Sequence, residues 1–515
     1  MDNITIKNYS AKLYLLGVFV MVCGLPLGNV IISIGSMIIF GAALIHGDLK
    51  NKINQFSKNK NALLATSIFI LYVLGGIHTS DTSQFMKELR IITPLLLLPF
   101  AFSSMPALSD KMVKVVLHFF VLAVFSNSIV SFIFHLNSVD LRYRDAVLFV
   151  SHIRYSLMLV LSLHILLYYS ISGNNWYRII ALLFGLWLLY FMNLFESGTG
   201  FVIAIITAVT GFIYFIHKLP NRKIKLALTT AMILIIGLIF YKILISYNQY
   251  FDAEVVVEIS LDKKTLNGET YVHRENLGTL ENGNYIWKYY APKETKKAWN
   301  TVSKIRHDGL DKNGHKIFGT IVRYMTSRGL RKDARGVAQL SQVDISNIEN
   351  GQTNYLHDSQ KGIDRRLNQI FYEIDRYRMD FDPSDSPTIR RLHFWNTAIG
   401  LIKQNPLVGV GTGDVKKEML VEYEKMNSPL ALDARKLIHN QYLTIAVQFG
   451  LLGMGWLIFV LLFPVIGNMQ RPIYPSIIFL LIFALSCLSE DTLNTQVGLS
   501  FFSYFYCFFF VRRRS

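Results

Sequence analysis

Long apolar runs separated by short polar connectors fill the first half of the chain, and the pattern returns at its end. Runs near the roughly 20 residues that a helix needs to cross a bilayer fall at about 11–27, 29–46, 62–78, 91–107, 113–136, 153–171, 178–194, 199–217, 225–245, 439–466, 473–489 and 496–511. The pattern predicts twelve transmembrane helices, nine in an N-terminal bundle over 1–245 and three over 439–515. The fourth contains Pro94 and Pro99. It is expected to be kinked or incomplete, which a bundle tolerates when neighbours satisfy the freed carbonyls. The polar stretch 246–438 is too long for a connector. Its first part alternates like strands, with Val255-Val256-Val257 and Tyr285-Ile286-Trp287 flanking the turn signals Asn267-Gly268 and Asn282-Gly283. Its later part, about 294–378, mixes charged and apolar residues at helical spacing. An α+β region capping the bundle is expected there.

Composition agrees with a membrane protein. Of 515 residues, 52% are hydrophobic and only 17% charged, against about 25% charged in soluble domains. The first apolar run leads straight into another without a small-residue cleavage site, so no cleavable signal peptide is expected. The net charge of +17 invites a nucleic-acid reading until its location is traced. Residues 246–438 hold 29 Lys and Arg against 25 Asp and Glu. The rest of the excess lies in connectors, where basic residues set membrane orientation. Placing the N-terminus inside puts Lys50, Lys52, Lys58, Lys60, Lys111, Lys114, Arg178, Lys218, Arg222, Lys223, Lys225, Arg471 and Arg512 to Arg514 in inner loops. Both termini are then cytoplasmic and 246–438 lies outside. The outer loop 137–152 and its exit break the rule with Arg142, Arg144 and Arg154. Cys23, Cys487 and Cys507 all sit in apolar runs, so neither a disulfide framework nor a cysteine metal site is expected.

The segment Leu340 to Gly351 looks like the turn and second helix of a helix-turn-helix repressor. It falls on the outer side, and its loop lacks the basic footprint that DNA binding needs. No nucleic-acid partner is expected.

Candidate chemistry gathers near the last apolar runs. His439 opens His439-Asn440-Gln441-Tyr442-Leu443 where the polar stretch meets a span. An ionisable residue at that depth is a functional hypothesis; the plain alternative is a helix anchor among lipid headgroups. Upstream stand Arg390-Arg391-Leu392-His393-Phe394-Trp395 and the Gly-rich turn Asn405-Pro406-Leu407-Val408-Gly409-Val410-Gly411-Thr412-Gly413; Gly450-Leu451-Leu452-Gly453 follows. Arginine, Gly-rich turn and histidine in this order resemble the O-antigen ligase family over about residues 390–460. The remainder is similar in layout only.

The resemblance implies an all-α polytopic membrane protein of about twelve transmembrane helices, GT-C-like, with a large periplasmic α+β loop region, in the bacterial inner membrane. It implies a glycosyltransferase that moves a glycan from undecaprenyl diphosphate to lipid A–core or protein on the periplasmic face, without a cofactor. Guanidinium groups stay charged and bind phosphate oxygens in a fixed fork. The resemblance puts Arg391 in that role, with Arg390 its alternative, although a pair flanking a helix start often does nothing more. A neutral imidazole is suited to take a hydroxyl proton near neutral pH, and the resemblance makes His439 that base or the group orienting the acceptor. One-step attack inverts the anomeric centre, and arginines make a metal unnecessary; no HExxH or paired-carboxylate spacing is present.

Arg154 and His152, at the start of the sixth span, and Arg142 are further candidates for binding the donor. Glu196-Ser197-Gly198-Thr199-Gly200 stands where family members often show Ser-Arg-Thr; the arginine that the resemblance leads one to expect for a phosphate contact is missing, and Arg154 or Arg142 is the candidate substitute. Glu490-Asp491 is placed to orient His439 or bind sugar hydroxyls. For these residues helix capping is an equal reading. Two other functions compete: a polysaccharide polymerase of the same chemistry, and a transporter or flippase. Against the last, the chain shows no internal repeat of the kind transporters carry.

Overall fold

The computed structural model describes residues 3–137, 147–195, 197–251, 261–274, 280–312, 314–357, 363–378, 382–467 and 473–513. Arg142, Glu196 and Val255 to Val257 lie outside them. The chain forms two compact units, Met1–Leu226 with Arg391–Ser515, and Ala227–Arg390.

In chain order the first unit holds α1 (Asn3–Gly24), α2 (Asn29–Ile45), α3 (Leu49–Lys58), α4 (Lys60–Leu74), α5 (Thr82–Ile92), α6 (Pro94–Ser104), α7 (Asp110–Leu136), α8 (His152–Ser172), α9 (Asn175–Leu194) and α10 (Gly198–Lys218); α11 (Arg222–Phe251) leads into the second. The second continues with a hairpin of β1 (Leu280–Glu281) and β2 (Asn284–Tyr285), then α12 (Pro292–Val302), α13 (Ile317–Ser327), α14 (Ala334–Ala338), α15 (Gln342–Glu349) and α16 (Ile363–Arg378). Through α17 (Pro387–Gln404) the chain returns to the first unit, adding α18 (Val415–Lys425), α19 (Gln441–Ile466), α20 (Tyr474–Ser486) and α21 (Gln496–Tyr506), which ends in a π turn at Cys507–Val511.

The protein is a mostly helical, multi-pass membrane protein. Seven described helices are long and apolar enough to cross a membrane alone, or up to eight if α2 and α3, bent by 117° at their break, form one span. Every apolar run seen in the sequence contains a helix. The fourth is incomplete as expected: Pro94, which has no N–H to donate, separates α5 from the eleven-residue α6. Helix starts follow side-chain chemistry. Ser109, Ser151, Asn174, Ser197 and Thr495 each accept a first-turn N–H that has no partner inside its helix. Within α8, which is largely buried, Ser162 returns its hydroxyl to Met158 O (2.9 Å) and His164 Nδ1 pairs with the Tyr474 hydroxyl (2.5 Å). These two polar groups at membrane depth thus find partners inside the protein.

The break in α19 is the fold's main local departure from helix. Gly450 adopts φ 70°, ψ −176°. The carbonyls freed around it are not left bare: Val447 O accepts from Val410 N (2.8 Å), Gln448 O from Gly411 N (3.0 Å), and Leu451 N donates to Pro406 O (2.8 Å). The Gly-rich turn is therefore a splint for a broken helix. A Cβ at Gly450 would lie 2.1 Å from Leu407 O, and the φ is one that L residues rarely adopt. Gly450→Leu should destabilise the protein by about 3 kcal/mol or more. Gly455 has open space in the same helix, so Gly455→Ala is the control. Thermal unfolding in detergent decides, and equal melting of both variants would refute the splint.

In the second unit the Asn282-Gly283 turn closes the hairpin as its sequence predicts, with φ 50° and 79°. The strand ends at Tyr285; Ile286 and Trp287 lie in the following turn. Trp299, Ile317, Ile321, Tyr324, Ile345 and Ile348 form a helical core. The segment resembling a repressor helix is α15, started by a Ser341/Asp344 capping box. Its Ile345 and Ile348 pack into that core, and Asp344 also receives Arg328 Nη1 at 2.5 Å and the Tyr324 hydroxyl at 2.7 Å.

Candidate active site

At one end of the first unit the N-termini of α8 and α19, the start of α17 and the loop joining α20 to α21 come together. Asn440 starts α19, its Oδ1 accepting from Tyr442 N (3.1 Å) and Leu443 N (3.2 Å), while its Nδ2 donates to Leu488 O (3.1 Å). Gln441, fully buried, fastens the loop with every polar group it has on that side. Its backbone N–H donates to Cys487 O (2.8 Å), its Nε2 to Asn494 Oδ1 (3.0 Å), and its Oε1 accepts from Leu493 N (2.7 Å).

This clamp presents two adjacent carboxylates. Glu490 lies between two arginines, with Oε2 3.0 Å from Arg154 Nη1 and Oε1 3.2 Å from Arg391 Nη2. Arg154 also donates to the Asp491 carbonyl (3.4 Å). Arg154 and Glu490 are buried, while the Arg391 side chain is 38% exposed. Glu490 thus has two guanidinium partners, and the exposed one is Arg391.

Asp491 serves the histidine. Its Oδ2 accepts the His439 backbone N–H (3.0 Å) and its Oδ1 the Thr444 hydroxyl (2.6 Å). Burial pushes its carboxyl above the usual range, against the opposing pull of the Thr444 hydrogen bond and the nearby imidazole. His439 has φ 52°, a left-handed conformation uncommon outside glycine. Its ring lies 5.9 Å from Phe394, tilted by 34°. Phe394 stands one turn after Arg391 on α17, so the helix that carries the guanidinium also walls the imidazole.

Of the residues singled out from sequence, His439, Arg391, Arg154, Glu490 and Asp491 are brought together. Asp491 holds the histidine by its backbone N–H. Arg390 precedes Arg391 on α17 and points about 100° away around the helix; it is the last residue of the second unit. His152 is half-buried in the first turn of α8, two residues before Arg154. Arg142 and Glu196 are outside the described residues. No group of three or more His, Cys, Asp or Glu is placed to hold a metal among the described residues.

Sequence reading overlooked a polar stripe. Gln441, Thr444 and Gln448 recur at helical spacing in an otherwise apolar span, and all are buried. Gln441 reaches the loop and Thr444 reaches Asp491. Gln448 Nε2 donates to Glu88 Oε2 (2.8 Å), whose other oxygen takes Gln84 Nε2 (3.0 Å). The spacing of the three was visible in the sequence; the partner of Gln448, Glu88 at 360 positions' distance, was not.

Residues 349–460 match the family described as O-antigen ligase. The matched stretch includes Arg390, Arg391, the Gly-rich turn, His439 and Gly450, and it bears out the resemblance read from their order. No curated protein matches the chain.

Proposed function

We propose, for a multi-pass membrane protein that carries an O-antigen ligase domain over residues 349–460, that it transfers a glycan from undecaprenyl diphosphate to lipid A–core or protein at the periplasmic face of the inner membrane. The carrying observation is the Glu490-Asp491 pair: one carboxylate holds Arg391 and the next holds His439. A phosphate-binding group and a base are thus anchored to adjacent residues of a single loop.

In this reading Arg391 turns its remaining N–H groups to the donor diphosphate, whose negative charge grows as the glycosidic oxygen leaves. His439 takes the acceptor hydroxyl proton as that oxygen bonds to the anomeric carbon. The carbon–oxygen bond to the diphosphate breaks, undecaprenyl diphosphate departs with the electron pair, and the anomeric centre inverts. Arginine supplies the charge stabilisation, so the reading needs no metal. Asp491, close to the ring, favours the imidazolium as it forms. Arg154 is a positioning residue that keeps Glu490 in place. The domain arrangement under this proposal is a bundle over 1–245 and helices over 439–515, with 246–438 outside, twelve spans and both termini in the cytoplasm.

Purified protein given undecaprenyl-diphosphate glycan and lipid A–core should yield the acceptor-linked product with inverted configuration. Lengthening of the glycan on its own carrier, with the acceptor untouched, would convert the reading to a polymerase. Orientation is tested separately. A reporter fused at Asn350 should be active only in a format that works in the periplasm, and cytoplasmic activity there would overturn the placement of the site.

A further inference from the structure

The first unit has a second polar feature at the end away from His439. It lies at the C-terminal end of α19, beyond the break at Gly450. A cavity of about 410 Å³ opens there, lined by the ends of α3, α4, α19 and the π turn after α21. That volume is within the range of small-molecule sites. Phe463, Pro464 and Phe509 give it an apolar wall, whereas Lys58, Arg512 and Arg513 supply positive charge. No acidic residue is among the described residues that line it.

Two lining amides define what a ligand must bring. Asn61 Nδ2 donates to Phe510 O at 2.8 Å. Its buried Oδ1, and the buried Oε1 of Gln55, have no hydrogen-bond partner among the described residues. Buried acceptors left this way are costly and call for donors. A phosphodiester alone answers the cations but has no donor for the amides, and inorganic phosphate, although its P–OH can donate, has nothing to set against the apolar wall. A choline headgroup has no donor either, and the ammonium of ethanolamine would be repelled by the basic rim. A phosphate bearing free hydroxyls satisfies both requirements, and acyl chains suit the apolar wall at a membrane surface.

We propose that this cavity binds the headgroup of an anionic, hydroxyl-bearing glycerophospholipid of the phosphatidylglycerol type. Basic pockets between membrane helices recognise anionic lipids in this way. The inference rests on the multi-pass architecture and not on glycan transfer, so either can fail alone.

The test uses the full chain, delipidated in detergent and titrated with phosphatidylglycerol, phosphatidylcholine or inorganic phosphate, with bound species counted by native mass spectrometry. Phosphatidylglycerol should bind one per chain and survive an excess of inorganic phosphate. Lys58 and Arg513 are exposed, so their replacement leaves the fold intact. K58Q/R513Q should weaken binding roughly thirtyfold, about fivefold for each charge. Gln55→Leu should weaken phosphatidylglycerol alone. Equal retention of phosphatidylcholine, displacement by inorganic phosphate, or wild-type binding by K58Q/R513Q would overturn the proposal.

Discussion

His439→Asn is expected to abolish glycan transfer while the protein stays in the membrane at wild-type abundance. Asparagine is the informative replacement because of the backbone. At φ 52° most side chains are strained, but asparagine tolerates this region well, and the N–H that Asp491 accepts is retained. His439→Ala removes the same ring at some cost in stability, so the two variants together separate folding from chemistry. Losing a positioned base costs roughly 10²–10⁴ in rate. Undecaprenyl-linked glycan should accumulate and the acceptor-linked product disappear. Near-normal turnover by His439→Asn would remove the base from the mechanism.

The same site should show an acid limb. Burial holds the Asp491 carboxyl above its usual range, so it takes up a proton at a higher pH than an exposed aspartate would. As pH falls through that value, the anion beside the imidazole is lost and the imidazolium formed during transfer loses its counter-charge. Turnover should therefore fall towards acid. Asp491→Asn, fixed in the neutral state, should be slow at all pH values; a pH profile of this variant that matches wild type would dissociate Asp491 from the reaction.

How much of this was legible in the sequence depends on range along the chain. Local features were: apolar runs became helices, Pro94 interrupted the fourth, Asn282-Gly283 closed a hairpin, and Ser151 and Asn440 started helices. Each follows from residues within a turn or two of one another. The break at Gly450 was not legible, because a glycine inside an apolar run also fits an unbroken span. It is explained only by the turn at Pro406 to Gly411 that takes over its hydrogen bonds. The site divides in the same way. Arg391, His439, Glu490 and Asp491 stood out by type and place, and Arg154 by breaking the charge rule. That one carboxylate holds Arg154 and Arg391, at separations of 336 and 99 residues, is a fact of packing. So is the meeting of Gln448 with Glu88.

Replacing Arg391 distinguishes charge from geometry. Arg391→Lys keeps the positive charge beside Glu490, so Glu490 retains two cationic neighbours and the loop keeps its place. It loses the planar fork that grips two phosphate oxygens at once. Transfer should fall by roughly 10²-fold and by more in Arg391→Ala, as when a group stabilising developing charge is removed. Membrane abundance should hold, because the side chain is partly exposed. Arg154 should behave differently. It is buried against Glu490 with its Nε lacking a partner among the described residues, so Arg154→Ala leaves a buried carboxylate short of a counter-ion and should lower stability by about 3–5 kcal/mol. Arg390→Lys should change little. Measuring turnover and melting temperature for all four variants separates the roles: a kinetic loss without melting for Arg391, and melting for Arg154. If Arg391→Lys turns over at the wild-type rate, Arg391 does not recognise the diphosphate, and the positive charge at this end of the bundle only holds the loop.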